Sequence, residues 1–203
     1  MKIGCLASGS GSNFEAIASS CVSGILKDIS EIAVLITNNP DAKCIERAKK
    51  FNIPTLIIPS KTFQGSREDY DQLLVNELNK YKVDLVCLAG YMRFVSPLFL
   101  KAFPNRVINI HPALLPSFKG LHAQRQALEY GVKYSGCTVH FVDELEDHGP
   151  IIVQKVVPVY DDDTEDSLTK RILEQEHIAY SEAIKLYAEQ RLIIEGRKVK
   201  IKN

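Results

Sequence analysis

The chain lacks any excess of charge. Lys plus Arg and Asp plus Glu both total 25 among 203 residues, so the formal net charge is zero. No broad cationic surface for nucleic acid or for an anionic membrane is signalled. The basic tail 196–202 is short and reads as a solvated edge segment. No apolar run approaches the ~20 residues needed to span a bilayer. The start, Met1-Lys2-Ile3-Gly4-Cys5-Leu6-Ala7, turns polar too early for a signal peptide. The five cysteines (Cys5, Cys21, Cys44, Cys87, Cys137) are odd in number and show no C-x-x-C spacing. That excludes a disulfide frame and predicts reduced, largely buried thiols in a cytoplasmic protein. None of the five histidines (His111, His122, His140, His148, His177) stands at H-x-x-x-H spacing, and no metal is expected. Internal repeats, low-complexity tracts and linkers are absent too.

What remains is alternation. Short apolar, β-branched runs at 2–7, 32–37, 54–58, 84–89 and 106–110 are separated by helical patterns at 13–23, 42–51 and 67–81. Such continuous apolar strands suit a parallel sheet covered by helices on both faces. Runs at 137–142 and 151–158 are joined by a short loop and predict an antiparallel hairpin near the carboxyl-terminal end. Further helices are predicted at 124–130 and 164–190. The expected fold class is α/β, with one domain over 1–203 and a mostly parallel, twisted sheet.

Four polar features interrupt this frame. The first is Asn109-Ile110-His111-Pro112, where a carboxamide and an imidazole two residues apart share one face of a strand that Pro112 stops. Ligands of open α/β sheets bind at such carboxyl ends, although a turn satisfying local backbone groups would look the same. The second is Ser8-Gly9-Ser10-Gly11-Ser12-Asn13, between a strand and a helix. It is neither Walker A nor G-x-G-x-x-G, since Phe14 fills the last glycine position, so a lone phosphate fits better than a dinucleotide. Ser12 or Asn13 is expected to cap the helix; capping alone is the plainer reading. The third is the loop Asp143-Glu144-Leu145-Glu146-Asp147, which Gly149-Pro150 follows. It could be a solvated turn, or Asp147 could orient a histidine or take a proton through water. The fourth is Glu176, set on the apolar stripe Leu168, Ile172, Ala179, Ala183 and Leu186. There it is either a ligand for an amine or hydroxyls, or a carboxylate paired with a cation.

Taken together, these motifs resemble the folate-dependent formyltransferases. The resemblance runs nearly end to end, through the Gly9–Asn13 loop, Ala89-Gly90-Tyr91-Met92-Arg93, Asn109 to Pro116, Gly136 to Val142, Asp147-His148-Gly149-Pro150 and Gln175-Glu176-His177. Within the family, the closer likeness is to enzymes that add the first formyl carbon in purine synthesis. The resemblance implies a Rossmann-like formyltransferase fold. It also implies transfer from 10-formyltetrahydrofolate, as co-substrate, to the amine of glycinamide ribonucleotide. By resemblance Asn109, His111 and Asp147 are catalytic, Gly11, Ser12 and Asn13 hold the phosphate, and Glu176 meets the ribose or glycinamide. Met92, Arg93, Phe94 and Val95 would line the pterin pocket with Asn109, Asp143, Glu144, Leu145, Glu146 and Asp147, and Arg67 would meet the folate's glutamate. Two positions depart from the family pattern: Ala113 stands where Ser is frequent, and Glu146 where an apolar residue is usual.

The partners expected are these small molecules, without nucleic acid or membrane, in a monomer or homodimer. A formyltetrahydrofolate hydrolase would carry an extra amino-terminal domain. A transfer-RNA formyltransferase would carry an extra carboxyl-terminal one and a basic surface. A non-catalytic folate or nucleotide module would not need Asn109, His111 and Asp147 together.

Overall fold

The structure, a computed structural model, describes residues 1–202. The described residues form nine strands and six helices, and the chain falls into two compact units, Met1–Ile108 and Asn109–Asn203. The main sheet has seven strands and is mostly parallel, as expected for the α/β class.

In the first unit the strand order is β3-β2-β1-β4, made of β1 (Lys2–Ala7), β2 (Glu31–Thr37), β3 (Thr55–Ile57) and β4 (Leu85–Leu88). β1 pairs in parallel with both β2 and β4, which is why its residues from Ile3 to Ala7 are fully buried or nearly so. β-Branched and Leu side chains on both faces of β1, β2 and β4 supply the core of this unit. The helices are α1 (Ser12–Ser23), α2 (Cys44–Lys50), α3 (Arg67–Lys80) and α4 (Pro97–Ala102). α3 begins with a capping box in which Ser66 and Asp69 satisfy each other's backbone. α4 follows from Ser96 as cap and Pro97 in the first turn, a signal overlooked in the pattern above because the helix is only six residues long.

β5 (Val107–His111) straddles the boundary between the units, and its Asn109, Ile110 and His111 belong to the second. There the order is β5-β6-β7, with β6 (Tyr134–Phe141) and β7 (Ile151–Pro158) forming the expected antiparallel hairpin. α5 (Ala123–Tyr130) and α6 (Glu165–Ala188) complete the helices. On α6 the stripe of Leu168, Ile172, Ala179 and Ala183 is buried, and Glu176 lies within it at 7% exposure.

One expectation is refined and another corrected. The basic tail 196–202 is solvated as expected, but it is not unstructured: β9 (Lys198–Ile201) pairs with β8 (Leu192–Glu195) in a second hairpin. The alternation of Lys198, Val199, Lys200 and Ile201 after Gly196 carries this strand, and its charge concealed it. The cap of α1 is neither Ser12 nor Asn13: Gly11 occupies it at φ 70°, and no side chain caps the helix. A β-carbon on Gly11 would sit 2.8 Å from Cys44 Cα, so glycine is required both by the left-handed backbone and by the close approach.

Candidate active site

The second unit gathers four polar side chains around the end of β5. The imidazole of His111, 4% exposed, turns Nδ1 toward Asp147 Oδ2 at 3.2 Å. Its Nε2 donates to the Phe118 carbonyl at 2.7 Å. Both ring nitrogens therefore face oxygen acceptors, Asp147 on one side and Phe118 on the other. Asp147 also accepts the Gly120 amide proton at 2.9 Å, and its backbone is left-handed at φ 44°. Aspartate tolerates that conformation better than most residues. Just beyond it, Gly149 runs so close to the Phe141 carbonyl that no β-carbon could be placed there.

His140 joins the group from β6. Its Nδ1 donates to the Phe141 carbonyl at 2.8 Å, which leaves Nε2 as an acceptor for Asn109 Nδ2 at 3.4 Å. Nε2 also lies 3.8 Å from Asp147 Oδ1. This contact fixes which way the Asn109 carboxamide points, a role that the sequence does not disclose for a histidine inside an apolar strand. Burial pushes the His140 pKa below the ordinary 6.5, against the opposing pull of the Phe141 carbonyl and Asp147. The unfolded chain therefore takes up this proton first, and folding stability is lost as pH falls below about 6.5. His140→Gln is expected to flatten that loss by up to ~1.4 kcal/mol per pH unit, the limit for one proton. Denaturant melts of both proteins across that range measure it; equal slopes would contradict the assignment.

The turn after His111 is held from beneath. The Thr138 hydroxyl donates to the Ala113 carbonyl at 2.7 Å and accepts from Leu115 N at 3.0 Å. Gln154 Nε2 donates to both Thr138 Oγ1 and the Leu115 carbonyl, each at 3.0 Å. Ala113 is fully buried, and the Glu146 carboxylate lies beside Gly120. Neither departure from the family pattern removes a group from the His111–Asp147 pair. Near Glu176, Cys137 is pushed up to about 12, first by burial and then by the Glu176 charge, so this thiol is not a ready nucleophile.

The first unit holds the expected Gly11, Ser12, Asn13, Arg67 and Met92–Val95. Its Ser8–Gly11 loop is tied down through its oxygens. Ser8 Oγ donates to Asn38 Oδ1 at 2.6 Å and accepts from Met92 N at 2.9 Å. The Gly9 carbonyl accepts from Cys44 N at 3.1 Å, and the Ser10 carbonyl from Arg47 Nε at 2.8 Å. Arg47 is in turn paired with Glu15. These carbonyls are thus engaged by Cys44 and Arg47, and α1 opens without a side-chain cap. The segment Met92–Val95 is fastened to α3. Arg67 donates to the Val95 carbonyl at 3.0 Å, the Asp71 carboxylate accepts from Ser96 N at 2.5 Å, and the Arg93 guanidinium lies 4.5 Å over the Tyr70 ring. Met92 and Phe94 stay 67% and 60% exposed, apolar surface held on a fixed backbone.

Among the described residues no group of three or more His, Cys, Asp or Glu could hold a metal ion, and no helix is long and apolar enough to cross a membrane.

An amide, an imidazole and a part-buried carboxylate gathered around a strand end are groups that can donate hydrogen bonds and carry protons, the equipment of group-transfer chemistry. The chain belongs to the formyl transferase family, whose model matches residues 1–184. It is similar to a solved glycinamide ribonucleotide transformylase 1 from Symbiobacterium toebii. That likeness has 51% identity and a TM-score of 0.97, over 100% of this chain and 94% of the other. The phosphoribosylglycinamide formyltransferase of Escherichia coli is 43% identical over 95% of this chain and 89% of its own length. The trifunctional purine biosynthetic protein adenosine-3 of Chironomus tentans is 46% identical over 92% of this chain, which spans only 14% of that longer protein.

Proposed function

We propose that this chain transfers the formyl group of 10-formyltetrahydrofolate to the amine of glycinamide ribonucleotide, releasing tetrahydrofolate and the N-formyl product of de novo purine synthesis. The observation that carries the reading is the His111–Asp147 contact at 3.2 Å, on the strand that also bears Asn109. The names of full-length relatives such as the Escherichia coli enzyme support the choice of substrates. The family match runs from the first unit into the second, as far as residue 184, which supports a single formyltransferase domain over 1–203.

In the proposed reaction the amine attacks the formyl carbon, a C–N bond forms, and the bond from that carbon to the folate nitrogen then breaks. Asn109 Nδ2, held by His140 through one hydrogen, has its second hydrogen for the formyl oxygen as charge develops there. His111 Nε2–H donates to the same oxygen, having exchanged the Phe118 carbonyl for it. Asp147 holds the ring from Nδ1 and accepts, through water, the proton that the attacking amine gives up. The departing folate nitrogen is protonated from the same chain of donors, so no net proton is gained or lost by the protein. No thiol takes part.

Gly11, Ser12 and Asn13 take the phosphate, and Glu176 the ribose or glycinamide. Met92, Arg93, Phe94, Val95, Asn109 and the Asp143–Asp147 loop are assigned to the folate, exposed Met92 and Phe94 offering apolar faces to its flat pterin, and Arg67 to the glutamate carboxylates. The small molecules are the only partners invoked, for a cytoplasmic monomer or homodimer. Five free thiols support that compartment.

The test is to follow tetrahydrofolate release with and without glycinamide ribonucleotide. Release that requires the ribonucleotide is expected; release without it would assign a hydrolase, and no turnover a binding module. Gly11→Ala is expected to raise KM for the ribonucleotide by about tenfold or more while kcat changes less, because the added methyl distorts the backbone at the phosphate. Steady-state kinetics at varied ribonucleotide check this; an unchanged KM would remove the phosphate from this loop.

A further inference from the structure

The β8–β9 hairpin lies beyond the matched family region, which ends at residue 184, yet its turn reaches the loop that carries Asp147. Gly196, at φ 59°, and Arg197 form that two-residue turn between the paired Glu195 and Lys198. Arg197 Nη2 donates to the His148 carbonyl at 2.6 Å, and Nη1 to His148 Nε2 at 2.7 Å. His148 Nδ1, itself 3.2 Å from Arg197 Nη1, lies 2.7 Å from Asp143 Oδ2. The tautomer that satisfies both partners carries its proton on Nδ1, giving a chain Arg197→His148→Asp143. Asp143 Oδ1 in turn accepts from Leu145 N at 3.1 Å. One guanidinium thus fixes the backbone immediately after Asp147 and, through the ring, the start of the same loop.

We propose that Arg197 is a positioning residue for formyl transfer, holding the Asp143–His148 loop so that the Asp147 carboxylate meets His111. This rests on the reaction proposed above. The need for an external anchor follows from the geometry. Asp147 has a left-handed backbone, and its carboxylate contacts are to Gly120 N and the two imidazoles. Arg197 and Asp147 also line one cavity of about 440 Å³, with Lys119, Leu115 and Pro116. Losing the guanidinium therefore frees the loop toward open space instead of letting neighbours close in.

The experiment compares Arg197→Ala, Arg197→Lys and Arg191→Ala with the parent protein. Arg191 Nε donates to the Lys202 carbonyl at 2.7 Å and steadies the far end of the hairpin without touching the loop, so its replacement controls for hairpin stability. Arg197→Ala is expected to lower kcat about ten- to a hundredfold, the scale for a misplaced catalytic group, with KM for the ribonucleotide little changed. Guanidinium ion added to Arg197→Ala is expected to restore part of the rate. A lysine cannot make the forked contact and should recover only part of it. Hydrogen exchange should quicken in the amides of 143–149 in Arg197→Ala and not in Arg191→Ala. An unchanged kcat in Arg197→Ala, or an equal loss in Arg191→Ala, would overturn the proposal. If the parent protein transfers no formyl group, the reaction assignment fails, and the exchange rates of 143–149 alone decide whether Arg197 anchors the loop.

Discussion

Asp147→Asn is expected to lower kcat by about a hundred- to ten-thousandfold, the range for removal of a positioned acid–base group. The substitution is nearly isosteric. An asparagine oxygen can still accept the Gly120 amide proton that Asp147 Oδ2 accepts at 2.9 Å, so the loop and fold should survive. What disappears is the negative charge facing His111 Nδ1 at 3.2 Å and, in the proposed reaction, the acceptor of the amine proton. His111→Ala belongs to the same test and should fall as far, because the donor to the formyl oxygen goes with it. Parallel melting curves and rate assays separate chemistry from folding. A folded Asp147→Asn protein with near-normal kcat would show that the carboxylate only holds the loop.

Asn109→Ala is expected to cost about a hundred- to a thousandfold in kcat, or ~3–4 kcal/mol, as found when one donor is removed from an oxyanion site elsewhere. The argument rests on orientation as much as identity. His140 Nε2, 3.4 Å away, takes one amide hydrogen and so leaves the other free for the formyl oxygen in the proposed reaction. Asn109→Asp should be worse than alanine, since a carboxylate would face the developing negative charge and could also repel Asp147. KM for the ribonucleotide should move little in either variant, because the hydrogen bond is made mainly in the transition state. A rise in KM at constant kcat would place Asn109 in ground-state binding instead.

Much of this was legible in the sequence, for physical reasons that differ by residue. Asn109 and His111 could be paired because a strand's two-residue period puts alternate side chains together, and Pro112 marks where the ladder must stop. Asp147 stood out only through Gly149-Pro150 and the family resemblance, since a run of acidic residues in a hairpin loop is ordinarily a solvated turn. His140 was not assigned a role. Its neighbours Val139 and Phe141 read as core, and its meeting with Asn109 depends on β5 lying beside β6, a property of strand pairing that no local pattern encodes. Glu176 was visible as a polar break in an apolar helical stripe, and the structure does bury it there. Arg197 was hidden in a basic tail, where charge outweighed the strand alternation. The capping of α1 was misread because Ser and Asn are strong capping residues; the closeness of Cys44 to Gly11 decided otherwise.

The central claim is that Asn109, His111 and Asp147 move a formyl group from a folate to a ribonucleotide amine. Carbon-13 in the formyl group of 10-formyltetrahydrofolate, followed by NMR after mixing with the protein and glycinamide ribonucleotide, tests it directly. The label is expected to appear as an amide formyl on the glycinamide nitrogen, and not to do so with His111→Ala on the same timescale. Label collecting as free formate, or remaining on the folate, would contradict it.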